Sequence, residues 1–384
     1  MLGKTNLLFV AEDEPTDLSF TPQYILTPAS DSIIKIEMIN NLFFAYTSDG
    51  KVYYGSDMNH LQILKKDGAF MLAKHIIYAD GVYYMTNIET TKDKAIIYKT
   101  PDLVSYEQLT LKTSNDSWYY PVHGLFLNSA GEIVALVEKN GTSGNYSDKY
   151  LLVAESLENY VENSASFIQL ENGYKISGTG VHSTTMEKDR IFANVSGGSS
   201  ISNSGIIITL DGTSISCEKY THFAADYFFR VGDTATNKKL YYSLNGKDYI
   251  NIDFSKVDTN FSAKEVFEYD GNIALIYSGS QGTKLALSAT PTGLVEAISS
   301  AIPVNFDYAI RQNSNLYNDD YVYLGSTGGI VVKAKIDYSD TTRPDITLLK
   351  TLSARQALTA ANEYTEKLFA ALELRVEALE KAEN

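Results

Sequence analysis

The side chains that most often carry proton transfer, metal ligation or anion clamping are sparse and scattered in this chain. Its five histidines, His60, His75, His123, His182 and His222, are at least 15 residues apart. None forms the His-x-x-x-His pair that places two imidazoles on one helical face for zinc. Cys217 is the only cysteine, so no intrachain disulfide can form. In Ser214-Ile215-Ser216-Cys217-Glu218 it reads as a half-buried strand residue. The acid pairs Asp319-Asp320 and Asp248 with Asp253 fit no calcium loop and read as solvated turn acids. There is no Gly-x-Ser-x-Gly elbow. The glycine-rich Ser196-Gly197-Gly198-Ser199-Ser200 precedes no helix that would hold an anion at its N-terminus, and reads as a hairpin loop. The residues therefore point to no catalytic set, no metal site and no cofactor.

Binding chemistry has one better candidate. Ser114-Asn115-Asp116-Ser117-Trp118-Tyr119-Tyr120-Pro121-Val122-His123 holds the only tryptophan, two tyrosines and several short polar groups. Trp118, Tyr119, Tyr120 and His123 are the ligand-binding candidates, because carbohydrate sites stack aromatic faces on sugar rings and add short polar hydrogen-bonding groups. The competing reading makes Trp118 the start of a blade's inner strand, buried in the core. The segment His222-Phe223-Ala224-Ala225-Asp226-Tyr227-Phe228-Phe229-Arg230 is more apolar and reads as a buried strand.

Elements that would position these groups follow from turn chemistry. Up to about residue 340, short apolar runs are separated by Asp49-Gly50, Asp80-Gly81, Asp211-Gly212, Asn245-Gly246 and Asp270-Gly271. Such dipeptides accept the positive φ of two-residue hairpins. With 28 Tyr, 16 Phe and 25 Gly against 8 Pro, the composition suits half-buried strands. No helical periodicity is expected before residue 345. A unit recurs: an apolar strand, a Ser/Thr turn, then a short strand. Strand ends at residues 54, 98, 153, 208, 242, 287 and 324 lie about 45 apart on average, the period of propeller blades. The expected fold class is all-β, a β-propeller of about seven blades, with six or five also admitted by the irregular intervals. The strand Leu7 to Val10 lies outside the first unit and is available to complete the last blade.

The clearest copy of the turn is Ser243-Leu244-Asn245-Gly246-Lys247-Asp248-Tyr249. It resembles the Asp-box turn of sialidase-type propellers, with Asn for Asp, a shifted Gly, and Tyr where Trp is usual. Ile97-Tyr98-Lys99-Thr100-Pro101-Asp102 followed by Tyr106, and Leu152-Val153-Ala154-Glu155-Ser156-Leu157-Glu158 followed by Tyr160, are looser copies of the unit. The resemblance implies a structural turn on the outer edge of a blade. A sialidase would also need three arginines to clamp a carboxylate. Arg190, Arg230 and Arg311 are the arginines ahead of the linker, and the opening blade has none, so these read as surface charges or ion pairs.

From Leu352 to Asn384 there is neither Gly nor Pro. Residues 341–351 read as a linker and 352–384 as a helix, opened by a Ser353/Gln356 capping box. Leu358, Ala361, Thr365, Leu368, Leu372, Val376 and Leu379 form a heptad seam, with Arg375 interrupting it. Packing on other copies of the chain, with a trimer favoured, is the expectation; docking into a different protein is the alternative. Leu358-Thr359-Ala360-Ala361-Asn362-Glu363-Tyr364-Thr365-Glu366-Lys367 resembles the Ala-Ala-Asn-x-Tyr-Thr-x-x-Lys helix of bacteriophage tail-fibre and baseplate proteins. That resemblance implies a trimeric coiled coil, although here the globular part precedes the helix.

Net charge is −15, from 32 basic and 47 acidic residues, which disfavours a nucleic-acid partner. No apolar run reaches the roughly 18 residues of a membrane span. Met1 to Glu14 has neither a signal-type apolar core nor a small-residue cleavage site, so assembly in a bacterial cytoplasm is expected. The combined expectation is a non-enzymatic virion protein of a phage tail or fibre that contacts other tail proteins and a host-surface glycan. The alternatives are a glycan-active propeller enzyme of sialidase or glycosidase type and a purely scaffolding propeller.

Overall fold

The computed structural model describes residues 17–87, 96–110, 118–119, 122–141, 146–154, 157, 167–169, 181–195, 204–218, 222–231, 239–258, 260–306 and 309–339. The expected linker 341–351 and helix 352–384, with Leu358, Ala361, Thr365, Leu368, Leu372, Val376 and Leu379, lie outside them, as does Tyr120. Residues Leu18–Asp337 form one compact unit. Among the described residues its strands make seven antiparallel sheets of four or five strands and one separate two-stranded hairpin.

Each sheet is a blade built in chain order. The first comprises Ile33–Ile39, Leu42–Thr47, Val52–Gly55 and Gln62–Ile63. The second runs from Ala73–Ala79 to Glu107–Thr110, and the third from Val122–Leu127 to Phe167–Gln169. The fourth and fifth begin at Val181–Glu187 and His222–Ala224. The sixth begins at Ser262–Tyr269 and the seventh at Ile310–Asn318. First strands touch the first strands of the neighbouring blade at six of the seven junctions, the first blade's meeting both the second's and the seventh's, and the fourth and fifth blades meet through Phe192, Ile207 and Phe228. The ring therefore closes on itself, with the first strands innermost.

The seventh blade is completed by the N-terminal strand Asp17–Leu26, which lies beside Ile330–Ser339 as its outermost member. The strand expected to do this, Leu7 to Val10, lies outside the described residues; the segment that completes the blade is the later Asp17–Leu26. Beyond the strand, the hydroxyl and N–H of Thr27 both donate to the Gly329 carbonyl, at 2.7 and 3.0 Å. Gly329 sits at φ 69, and a Cβ there would run into the Ala29 carbonyl. Only glycine fits this seam.

Period-two alternation builds the core. In Leu42–Thr47, Phe43 and Ala45 pack toward the seventh blade, while Phe44 and Tyr46 pack toward the second. In Ile133–Gly141, Ile133, Ala135 and Val137 face the second blade, and Val134 and Leu136 face the fourth. Second strands are thus apolar on both faces, each fully buried Leu or Ile contributing roughly 1.5–3 kcal/mol. The core is a set of apolar layers between successive blades.

Six of the seven innermost hairpins turn through two positive-φ residues: Asn40-Asn41, Asp80-Gly81, Lys188-Asp189, Ala225-Asp226, Asp270-Gly271 and Asp319-Asp320. These turns match the right-handed twist of the strands they join. The third blade uses the longer Asn128–Glu132 turn, in which Asn128 Oδ1 accepts from the N–H groups of Ala130 and Glu132. These turns define a lower face. Several bond to the next blade: Asn40 donates to the Tyr83 hydroxyl at 3.0 Å, Asp189 accepts from Ser129 N at 2.7 Å, and Tyr269 donates to Asp320 O at 2.6 Å. One short helix, Leu294–Ala297, interrupts the expected absence of helix before residue 345. It follows Thr290-Pro291, where a Ser288/Thr290 hydroxyl turn feeds a single helical turn.

Candidate functional site

The first strands begin on the opposite, upper face, and there they depart from regular pairing. Register shifts interrupt them between Ile33 and Lys35, Ala73 and Ile76, Val122 and Gly124, Val181 and Ser183, Ala263 and Glu265, and Ile310 and Asn315. Bulges of this kind re-aim side chains. Six of seven blades carry one where the innermost strands meet.

Two polar networks occupy this ring. In one, Glu265 of the sixth blade accepts from Asn315 Nδ2 of the seventh at 2.7 Å and lies 3.4 Å from His222 Nε2 of the fifth. The His222 and Glu265 side chains are 1% and 2% exposed. In the other, Thr184 of the fourth blade donates to the His123 carbonyl of the third at 2.6 Å and stands 3.3 Å from His75 Nε2 of the second. Burial, then the charges of Lys35 and Lys74, holds His75 well below its ordinary range, so its ring is neutral at pH 7. Each network spans three consecutive blades. The first blade adds the exposed Ile34 and the half-buried Lys35, whose ammonium pairs with Glu37 at 2.6 Å. Burial and Lys35 likewise lower Lys74.

The sequence candidates divide around this ring. His123 is the extra residue of the third blade's bulge, half-buried, with its carbonyl in the second network. Trp118–Tyr119 form a short strand paired with Asn140 and Gly141, at the upper end of the same blade. Trp118 and His123 are thus brought to one rim of the upper face. Glu265, Asn315, Thr184 and His75 were missed. What they share is a polar residue at or beside the register shift of a first strand, visible only once the blades are aligned. The segment containing His222 is mostly core, as Phe228 and Phe229 show, but His222 itself belongs to the axial ring.

Arg190, Arg230 and Arg311 are engaged in separate places. Arg190 reaches the Asn245 carbonyl at 3.5 Å, the Arg230 guanidinium lies 4.4 Å from the Tyr241 ring centroid, and Arg311 donates to Ser32 Oγ at 2.8 Å. Among the described residues no group of three or more His, Cys, Asp or Glu is placed to hold a metal ion. No helix among them is long and apolar enough to cross a membrane.

The hydroxyl turns lie at the ends of third strands, toward the outer edge. Ser243 Oγ accepts from the N–H groups of Asn245 and Gly246, and Asn245 Oδ1 accepts from Lys247 and Asp248. Thr100 and Asp102 repeat this geometry with Leu103, Val104 and Ser105. Leu103 even adopts the positive φ of Gly246. These turns cap backbone donors and stand away from the axial ring.

No protein-family model matches the chain, and no curated protein matches it in sequence. Among solved structures it is similar to YCF48 bound to D1 peptide, with TM-score 0.52 and 11% identity over 85% of this chain and 100% of that one. It is similar to the Neurospora crassa Pan2 WD40 domain, with TM-score 0.50 and 9% identity over 84% and 98%. A catalytically inactive Staphylococcus aureus virginiamycin B lyase with quinupristin gives TM-score 0.49 and 11% identity over 83% and 99%. Together with the seven sheets, the likenesses to YCF48 and to the Pan2 WD40 domain define the class: this is a seven-bladed β-propeller.

Proposed function

We propose that this propeller is a non-catalytic binding module of a phage tail or fibre apparatus, taking a host-surface glycan at its upper face. One observation carries the binding reading: the polar side chains gathered on the axis are satisfied by one another across blades. Glu265 is held by Asn315 and His222, and Thr184 by His123 and His75. A buried polar network satisfied in this way holds the inner strands rigid, so the loops of the upper face stand on a fixed frame. A glycosidase would instead present two carboxyl groups about 5–10 Å apart to a sugar. The arginines that a sialidase would converge are committed to an outer turn, a tyrosine ring and Ser32.

The virion reading is supported by the resemblance of residues 358–367 to tail-fibre helices and by the heptad seam, which favours a homotrimer joined to other tail proteins. The test is a panel of purified bacterial surface polysaccharides, scored for retention and for released oligosaccharide. Retention without new reducing ends is expected; release of fragments, lost on substituting a single Glu, Asp or Arg, would overturn the non-catalytic reading.

A further inference from the structure

One feature of the upper face breaks the blade repeat. Between the first and second blades, Lys65–Lys66 and Ala69–Phe70 pair as a separate hairpin, turned through Asp67 at φ 51 and Gly68 at φ 80. A two-stranded hairpin has little stability of its own. This one is rooted by Leu64 and Met71, 0% and 3% exposed, in the apolar layer between the blades. Leu64 N donates to Val52 O at 2.8 Å and Met71 N to Leu64 O at 3.0 Å. Lys51 of the adjacent upper loop bridges to Leu72. The root is therefore fixed while the tip buries almost nothing.

The tip nonetheless displays an aromatic ring. Phe70 is 53% exposed, and the ammonium groups of Lys51 and Lys65 stand 5.3 and 5.7 Å from its centroid. Lys51 is paired with Asp49, and Lys66 with Asp67 at 2.7 Å. Lys65 has no carboxylate partner among the described residues. An exposed phenylalanine gains little from water, and cation–π contacts at exposed sites are worth only about 0.5–1 kcal/mol. Neither accounts for keeping a ring at this tip. The combination does match one ligand chemistry. The C–H face of a pyranose stacks on the ring, while a carboxylate on the sugar meets the ammonium beside it. Lys51 and Lys66 are offset by Asp49 and Asp67, so the ammonium of Lys65 is the charge at the tip that an incoming carboxylate can meet.

We infer that the Lys65–Phe70 hairpin, with Lys51, is a recognition element for a carboxylate-bearing glycan. This rests on the glycan-binding reading above and names the class of sugar.

The full chain is tested on immobilised polygalacturonate, with a carboxylate on every ring, and on neutral dextran. Expected is retention on polygalacturonate that weakens in about 0.5 M salt, with no retention on dextran. Phe70→Ala and Lys65→Gln should each weaken binding roughly tenfold, a loss of about 1.4 kcal/mol, with unchanged melting because both side chains are exposed. Phe70→Tyr should retain it. Variants that bind as the parent does would overturn the hairpin's role while leaving glycan binding intact, and equal binding to dextran would overturn the acidic class. Binding to neither polymer, beside retention on a neutral member of the polysaccharide panel, would also reject the acidic class. Failure on the whole panel would instead reject the glycan reading itself.

Discussion

The imidazole of His222 lies 3.4 Å from the carboxylate of Glu265 on the neighbouring blade, and both side chains are sealed from solvent. Asn315, one blade further, donates to the other oxygen of the same carboxylate. A single acid thus joins three blades at the axis. Removing it takes the shared acceptor from the buried His222 imidazole and the half-buried Asn315 amide. Glu265→Ala is expected to destabilise the propeller by about 1–3 kcal/mol, the cost of leaving buried hydrogen-bonding groups without their acceptor. Glu265→Gln, which keeps an acceptor for Asn315, should lose clearly less. Urea unfolding of the two variants checks this, and equal losses would show that shape rather than the polar junction matters.

A second acid sets a pH dependence. Glu187 closes the fourth blade's first strand, beside the turn residue Lys188. Burial pushes its carboxyl up to about 7, against a smaller downward pull from Lys188. Between its ordinary 4.5 and about 7, the folded chain keeps a proton that the unfolded chain releases. This group's stabilisation is therefore full below 4.5 and is lost as pH rises through 7. Glu187→Gln should be more stable than the parent at pH 8, by up to about 3 kcal/mol, and nearly level with it at pH 4. A difference independent of pH would contradict the assignment.

The outer turn of the fifth blade explains its own departure from the Asp-box pattern. Asn245 Nδ2 donates to Asp248 Oδ2 at 2.8 Å, a place where an aspartate would set two carboxylates together. Asn245→Asp should lower the melting midpoint by about 1–3 °C at pH 7, and Asp248→Asn in the same chain should restore it. Ser243→Ala should cost more, about 1–3 kcal/mol, because the buried hydroxyl serves two backbone donors. A milder effect from Ser243→Ala than from Asn245→Asp would contradict this.

Much of the fold was legible because turn chemistry is local. Residues 54, 98, 153, 208, 242 and 287 all fall in third strands of successive blades. Residue 324 falls in a second strand, since the seventh blade takes its outermost strand from the N-terminus and lacks the turn that marks the others. Asp80-Gly81 and Asp270-Gly271 are innermost hairpins, as their residue types require. Asn40-Asn41, Lys188-Asp189 and Ala225-Asp226 play the same part without the Asp-Gly or Asn-Gly signature. The axial ring was not legible. Glu265, Asn315 and His75 are separated by scores of residues and meet only when the ring closes; bulges, which no residue type announces, turn them inward.

The most direct test of binding at the upper face is hydrogen exchange of the full chain, alone and with the polysaccharide retained most strongly from the panel. The account predicts slowed exchange at residues 31–35, 48–51, 64–75 and 122–124, with the lower turns at 40–41, 80–81 and 270–271 unchanged. Protection confined to those lower turns, or retention of no polysaccharide at all, would contradict it.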